Sequence, residues 1–196
     1  MKKIVPKDAV LIPDGATKAF KGQIYDTYQW PQKMFDGSIE TFEMLKRADT
    51  VTVIPVVDEQ ILVIEDEQPH SGARLGFPGG RVDDSDPTTL EAAKREVAEE
   101  VGYQFDDWRL IKVWQPHTKI EWFIYFYVAS SGHKTGEPHL DAGERITPRK
   151  YSFAEAKKMV VTKSGYLGES KEIFEQADSL DQLLALEQFS GTEVDR

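Results

Sequence analysis

Three glutamates stand within five positions of this chain, in the run Arg95-Glu96-Val97-Ala98-Glu99-Glu100-Val101-Gly102. On a helix, Glu96 and Glu100 are i, i+4 neighbours, and like charges at that spacing repel. A hard divalent cation removes the penalty, because Mg2+ or Mn2+ takes oxygen ligands from a few carboxylates and from phosphate groups. The pattern therefore points to metal-assisted chemistry on phosphate. Most glutamate clusters are only a solvated face. This one borders Leu90, Ala93, Val97 and Val101, an apolar stripe at helical spacing that must enter a core. Glu91, Arg95 and Glu99 form a second i, i+4 ladder, in which Arg95 braces and orients Glu99.

The signals around the cluster describe one helix. Asp86 is a good N-cap, since its carboxylate can accept from the free N–H groups of a first turn. Pro87 suits the first helical position, where its missing N–H costs nothing. Gly102 can take the left-handed conformation that closes a helix. The expected span is about Pro87 to Val101. The glycine pair Gly79-Gly80 precedes it, and glycine lets a backbone approach a ligand with no Cβ in the way.

These residues resemble the signature of the Nudix hydrolases: a glycine, five residues, a glutamate, seven residues, then Arg-Glu-aliphatic-X-Glu-Glu-X-Gly-aliphatic. Arg95 to Gly102 match the second half, with Tyr103 at the last, usually aliphatic, position. The first half departs. Asp86 stands where the family has glutamate, and eight residues instead of seven separate it from Arg95. The extra residue falls near Thr88-Thr89, away from the carboxylates, where local absorption is expected. The resemblance implies hydrolysis of a pyrophosphate bond, a nucleoside diphosphate linked to another moiety giving a nucleoside monophosphate and a phosphorylated product. It implies Mg2+, with Mn2+ as a substitute, held by Glu96, Glu100 and the carbonyl of Gly79, with Glu99 serving an additional metal or positioning its water.

The resemblance to Nudix enzymes of the ADP-ribose group, several of which take the general base from a loop after the signature, implies the same place here. Glu144 occupies that place and Asp141 is its backup; an ordinary surface charge at a strand end is the competing reading of Glu144. For substrate, the resemblance points to ADP-ribose or another nucleotide sugar. Pro116 falls near the place of a proline in ADP-ribose members, although in Gln-Pro-His. Arg74 and Arg81 are candidates to grip phosphate oxygens, since guanidinium binds them bidentately. Trp30, Trp114, Trp122 and Tyr125 are candidates to stack on a base, against the commoner reading of core aromatics. His70 and His117 read as loop residues. A nucleoside triphosphate pyrophosphohydrolase is the alternative, and a module that binds nucleotide sugars without cutting them ranks below both, because all three signature carboxylates are present.

Composition limits the other classes. The formal net charge of -10 argues against nucleic acid and anionic membrane surfaces as partners. The absence of cysteine excludes thiolate metal sites and thiol nucleophiles. No run reaches the ~20 apolar residues of a membrane helix, and the N-terminal lysines are not followed by the apolar run of a secretory signal. A cytoplasmic enzyme is the expectation.

The elements that must position the cluster follow from hydrophobic pattern. The fold class expected is α/β (α+β), a Nudix-type α/β/α sandwich with a mixed sheet, plus a small N-terminal antiparallel sheet. Residues 1–48 read as a β extension, with strands around Gly22–Trp30 and Ser38–Leu45 joined at the Asp36-Gly37 turn signal. Such a sheet is marginal alone and must pack on its own domain or on a second subunit; nucleotide-sugar Nudix enzymes resemble this layout, and a homodimer is expected. Residues 49–196 read as the catalytic domain. Thr50–Val57 and Gln60–Glu65 form a hairpin, Glu67–Arg74 a loop, and Trp122–Val128 a strand covered on both faces. Ser130–Gly143 reads as a loop, and Glu144–Arg149 as a short strand. Ser152 caps a helix over Phe153–Val161, Ser170–Ala177 and Ser179–Phe189 read as short helices, and Ser190–Arg196 as frayed.

Overall fold

Strand-forming runs and tight turns build most of the chain, and the computed structural model describes residues 2–70, 72–140, 142–162 and 165–195. The central sheet is mixed. Its path runs β11 (Arg145–Tyr151), β6 (Gln60–Gln68), β5 (Thr50–Val57), β10 (Ile124–Lys134) and β8 (Tyr103–Trp114), and β7 (Gly72–Gly76) pairs with β6. The β5–β10 pairing is parallel and the β8–β10 pairing antiparallel. Alternation along β10 explains the layers. Tyr125, Tyr127 and Ala129 meet Ala92, Ala93, Val97 and Val101 of α1 (Thr89–Val101). Ile124, Phe126 and Val128 face Ala156 and Val160 of α2 (Phe153–Thr162), with Ile173 and Phe174 of α3 (Lys171–Glu175) and Leu183 of α4 (Leu180–Leu184). Side chains of period two thus fill two cores, and the sheet is sandwiched between helices.

Where the sheet opens matters most. β5 and β6 pair only at their hairpin end, Val56↔Ile61 and Val57↔Gln60. Further along β5, the N–H groups of Val51 and Val53 donate instead to the carbonyls of Gly80 and Pro78. The Pro78–Gly80 segment is wedged where β6 would otherwise lie. A Cβ on Gly79, whose φ is +153°, would sit 2.1 Å from the Val51 carbonyl oxygen, so only glycine fits so tightly against β5.

The expected antiparallel N-terminal pair forms, as β3 (Asp26–Lys33) and β4 (Ile39–Lys46), and two strands not foreseen join it: β2 (Thr17–Lys21) beside β3, and β9 (Ile120–Glu121) parallel to β4. Glu121 fastens it: its buried carboxylate accepts from Lys46 Nζ at 2.6 Å and from the Ile12 N–H at 2.7 Å. β1 (Lys2–Val5) is separate from that sheet. It pairs with β12 (Thr192–Asp195), so 192–195 is ordered strand where fraying was expected. The Lys3–Asp49 ion pair, 2.6 Å and buried, ties β1 down, while Asp49 also accepts from the Phe123 N–H.

Three further expectations change. Residues 72–74 belong to β7, because cross-strand bonding to β6 outweighs the polar, glycine-containing sequence. β10 continues to Lys134 into the expected loop, paired with the start of β8. α1 begins two residues later than its signals suggest. Thr88 is its N-cap, accepting from the Glu91 N–H, because the Asp86 carboxylate is engaged elsewhere. Ser152 does cap α2, in a reciprocal arrangement with Glu155.

Candidate active site

A cavity of about 340 Å³ fills the opening between β5 and β6. Thr50, Val51 and Thr52 form its β5 wall; Ile64, Asp66 and Gln68 of β6 and Arg74 of β7 form the other. Gly79, Gly80 and Glu100 lie between them, and Tyr166 and Glu169 also line the space.

α1 delivers Glu100 here because its apolar stripe is held against the sheet; Glu96, Glu99 and Glu144 are not among the lining residues, and the Glu96 carboxylate packs against Gly80 at the edge. Glu100 is only 7% exposed, and its Oε2 accepts from the Gly79 N–H at 2.8 Å. Burial pushes its carboxyl well above the usual range; the Gly79 bond opposes this, and the charges of Glu96, Glu144 and Asp66 reinforce it. Burial likewise pushes Glu96 up to about 7, against the pull of Arg95. Desolvation dominates at both carboxyls, and Arg95 offsets only part of it at Glu96. Glu144 acts electrostatically on both Glu96 and Glu100, so it belongs to the same field. Upstream of Glu144 the chain is tied to the end of α1: the Thr135 N–H donates to the carbonyl of the C-cap Gly102 and the His139 N–H to that of Glu99. Asp141 lies outside the described residues.

Arg95 is the clamp. Its Nε and Nη2 reach the two Asp86 oxygens at 3.2 and 3.0 Å, its Nη2 also the Arg81 carbonyl at 2.8 Å. Its Nη1 donates to Glu96 at 3.0 Å and to Glu99 at 2.9 Å. The Asp86 carboxyl is held low by this guanidinium. Arg95 therefore orients two glutamates from one planar head.

No three His, Asp or Glu side chains converge as a ready-made metal cage among the described residues. The donor chemistry is nonetheless that of a hard cation, a buried carboxyl, Glu100, and a half-buried one, Glu96, beside a glycine turn. Arg74 lines the cavity with its guanidinium 5.6 Å from the Tyr166 ring centre, and Arg81 lines it while paired to Asp83. Trp122 also lines it, with Arg47 stacked on its indole at 4.5 Å. Trp30 and Pro116 are not among its lining residues: Trp30 packs on Phe42 in the N-terminal sheet, at 5.2 Å between ring centres. Trp114 and Tyr125 do not line it either. Arg47, Asp66, Tyr166 and Glu169 carried no local motif. Only the splaying of β5 from β6 makes them neighbours.

A carboxylate-bearing helix docked on a mixed sheet, beside a glycine wedge and an arginine-lined cleft, defines an α+β hydrolase of the phosphoanhydride type. The NUDIX domain model matches residues 46–167, and the chain belongs to that family: it is a Nudix hydrolase. Among solved structures it is similar to an ADP compounds hydrolase, at 18% identity and a TM-score of 0.66, covering 88% of this chain and 94% of that one. It is also similar to a MutT structure from work on Aliivibrio salmonicida and Vibrio cholerae, at 17% identity and a TM-score of 0.50, covering 67% and 95%. No curated protein sequence matches it. No helix among the described residues is long and apolar enough to cross a membrane.

Proposed function

We propose that this enzyme hydrolyses the diphosphate of a nucleoside diphosphate linked to another moiety, ADP-ribose or a related nucleotide sugar, releasing a nucleoside monophosphate and a sugar phosphate. The observation that carries this reading is the pair of desolvated carboxyls, Glu96 and Glu100, at the glycine wedge of a cleft that also holds Arg74 and Arg81. The likeness to an ADP compounds hydrolase supports the substrate class.

Glu96, Glu100 and the Gly79 carbonyl would hold Mg2+ or Mn2+. Bound there, the cation supplies neutralisation of the diphosphate and a lowered pKa for the attacking water. Arg74 and Arg81 bind phosphate oxygens and offset the chain's net charge of -10. Gly79 holds Glu100 through its N–H, and Arg95 keeps Glu96 and Glu99 in register. Glu144 takes the proton of the attacking water. One phosphorus–oxygen bond forms to that water as the anhydride bond breaks, and the monophosphate leaves.

For the assembly, we propose residues 49–196 as the catalytic unit and the sheet β2–β4 as the arm of a homodimer. Phe20, Ile24, Phe35 and Ile39 of this region are exposed, an apolar load that a monomer has little reason to present to water. A cytoplasmic setting accords with the acidic, cysteine-free composition.

The deciding test is a Mg2+ assay over ADP-ribose, other nucleotide sugars, dinucleotides and nucleoside triphosphates, with product identification. The expected products from ADP-ribose are AMP and ribose phosphate. Turnover confined to triphosphates, with pyrophosphate released, would reverse the assignment.

A further inference from the structure

The β6 wall of the cleft carries a carboxylate that the proposed chemistry does not use. Asp66 lines the cavity, and its Oδ1 is buried with no hydrogen-bond partner. Its Oδ2 accepts from Gln68 Nε2 at 3.2 Å. Arg74 is its cross-strand partner in register, yet that guanidinium lies over the Tyr166 ring and leaves Oδ1 open. A buried acceptor without a protein donor is uncommon in a folded protein, and this one lines the cavity, where a ligand can supply the donor.

What that something is follows from position and charge. Asp66 lies across the glycine wedge from Thr50, Trp122 and Arg47, so the cleft has two sides with different chemistry. The β5 side offers an indole with a stacked guanidinium, a surface for a flat base. The β6 side offers the carboxylate of Asp66 with Arg74 as its cross-strand neighbour, and Glu169 lines the same cavity. A third phosphate placed there would meet like charge. A hydroxyl is a donor and would complete Oδ1.

We infer that Asp66 is a specificity-determining residue: its Oδ1 accepts from a hydroxyl of the moiety beyond the diphosphate, and so selects a sugar over a further phosphate. This rests on the nucleotide-sugar reading above. Sites that hydrogen-bond a substrate hydroxyl discriminate strongly, since an analogue lacking it leaves a buried polar atom unpaired.

The test uses the full chain and two variants, Asp66→Ala and Asp66→Asn, with kcat and KM measured on ADP-ribose and on ATP in Mg2+. Asp66→Ala should raise KM for ADP-ribose by about tenfold or more with kcat changed far less, the split expected from lost substrate binding. Asp66→Asn keeps an acceptor but removes the charge, so it should narrow the preference for ADP-ribose over ATP while sparing KM for ADP-ribose. Circular dichroism and Tm establish that both variants fold. If wild type cleaves ADP-ribose and both folded variants match it in KM and preference, the role of Asp66 is overturned; a shift in Tm alone would mean Oδ1 is completed by a structural water. If wild type cleaves no nucleotide sugar, the underlying substrate reading fails with it.

Discussion

Gly80 and the Glu96 carboxylate are packed so closely that a Cβ on Gly80 would lie 2.6 Å from Glu96 Cδ and Oε1. The glycine is what lets a strand-like segment and a helical carboxylate share one place. Gly80→Ala should therefore push Glu96 off its position while leaving the core intact. The expected loss in kcat/KM is about 10²-fold, the scale of an ångström of misplacement. Steady-state kinetics beside an unchanged circular dichroism spectrum would check it; near-wild-type turnover would show that Glu96 need not sit where it does.

Glu100→Gln separates stability from chemistry. Glutamine keeps an acceptor for the Gly79 N–H and removes a buried charge. Thermal unfolding without metal should give a Tm equal to or above that of wild type, whereas activity should be lost. Added Mg2+ should raise the Tm of wild type by mass action and fail to raise that of the variant. An equal Mg2+ response in both would place the cation elsewhere.

Asp86→Ala frees one side of the Arg95 clamp. Two of the guanidinium's bonds go, while those to Glu96 and Glu99 remain. Support of this kind typically governs 10–100-fold in activity or metal affinity, so a fall of about that size in kcat is expected. Titration of activity with Mn2+ would read it, and an unaltered curve would leave Asp86 a purely local staple.

Glu121 gives the acid limb. Burial raises its carboxyl, but Lys46 and the Ile12 N–H outweigh burial, and the net effect is a folded-state value below 4.5. A carboxyl depressed in the native state stabilises above its unfolded pKa, and the contribution disappears as pH falls through the folded one. Glu121→Gln should thus lower Tm at pH 7, and the gap from wild type should narrow as pH falls below the ordinary glutamate value of 4.5. A gap that did not narrow on acidification would mean the loss is packing and not charge.

The proposed dimer can be tested through its exposed apolar side chains. Phe20→Glu with Ile39→Glu should convert a dimer to monomer in light scattering after size exclusion. A wild type that runs as a monomer at micromolar concentration would remove the premise.

How far these features could be read in advance depends on whether their cause is local. The carboxylate helix and the hairpin at Asp58-Glu59 were legible because periodicity and turn residues act over a few positions. Where helix α1 starts was not: Asp86 is a strong N-cap by type, but a bidentate arginine nine residues on outbids that use. The pairing of Thr192–Asp195 with Lys2–Val5 is a contact between chain ends and leaves no trace in either segment. Trp122 was recognisable as an aromatic that could stack, yet so were Trp30, Trp114 and Tyr125. Only the three-dimensional separation of β5 from β6 distinguishes among them. Asp66, in the polar run Glu65-Asp66-Glu67, resembles any solvent-facing acid until the fold sets it in the cavity wall with one oxygen buried.

The wedge of Pro78–Gly80 also divides labour. The carboxylates proposed to hold the cation hang from the helix beside the glycine turn, while β6 places Asp66 against the moiety beyond the diphosphate. Substitutions along β6 can retune preference without touching the helix that carries those carboxylates. A break in a sheet thus becomes a seam along which one enzyme could diversify into many.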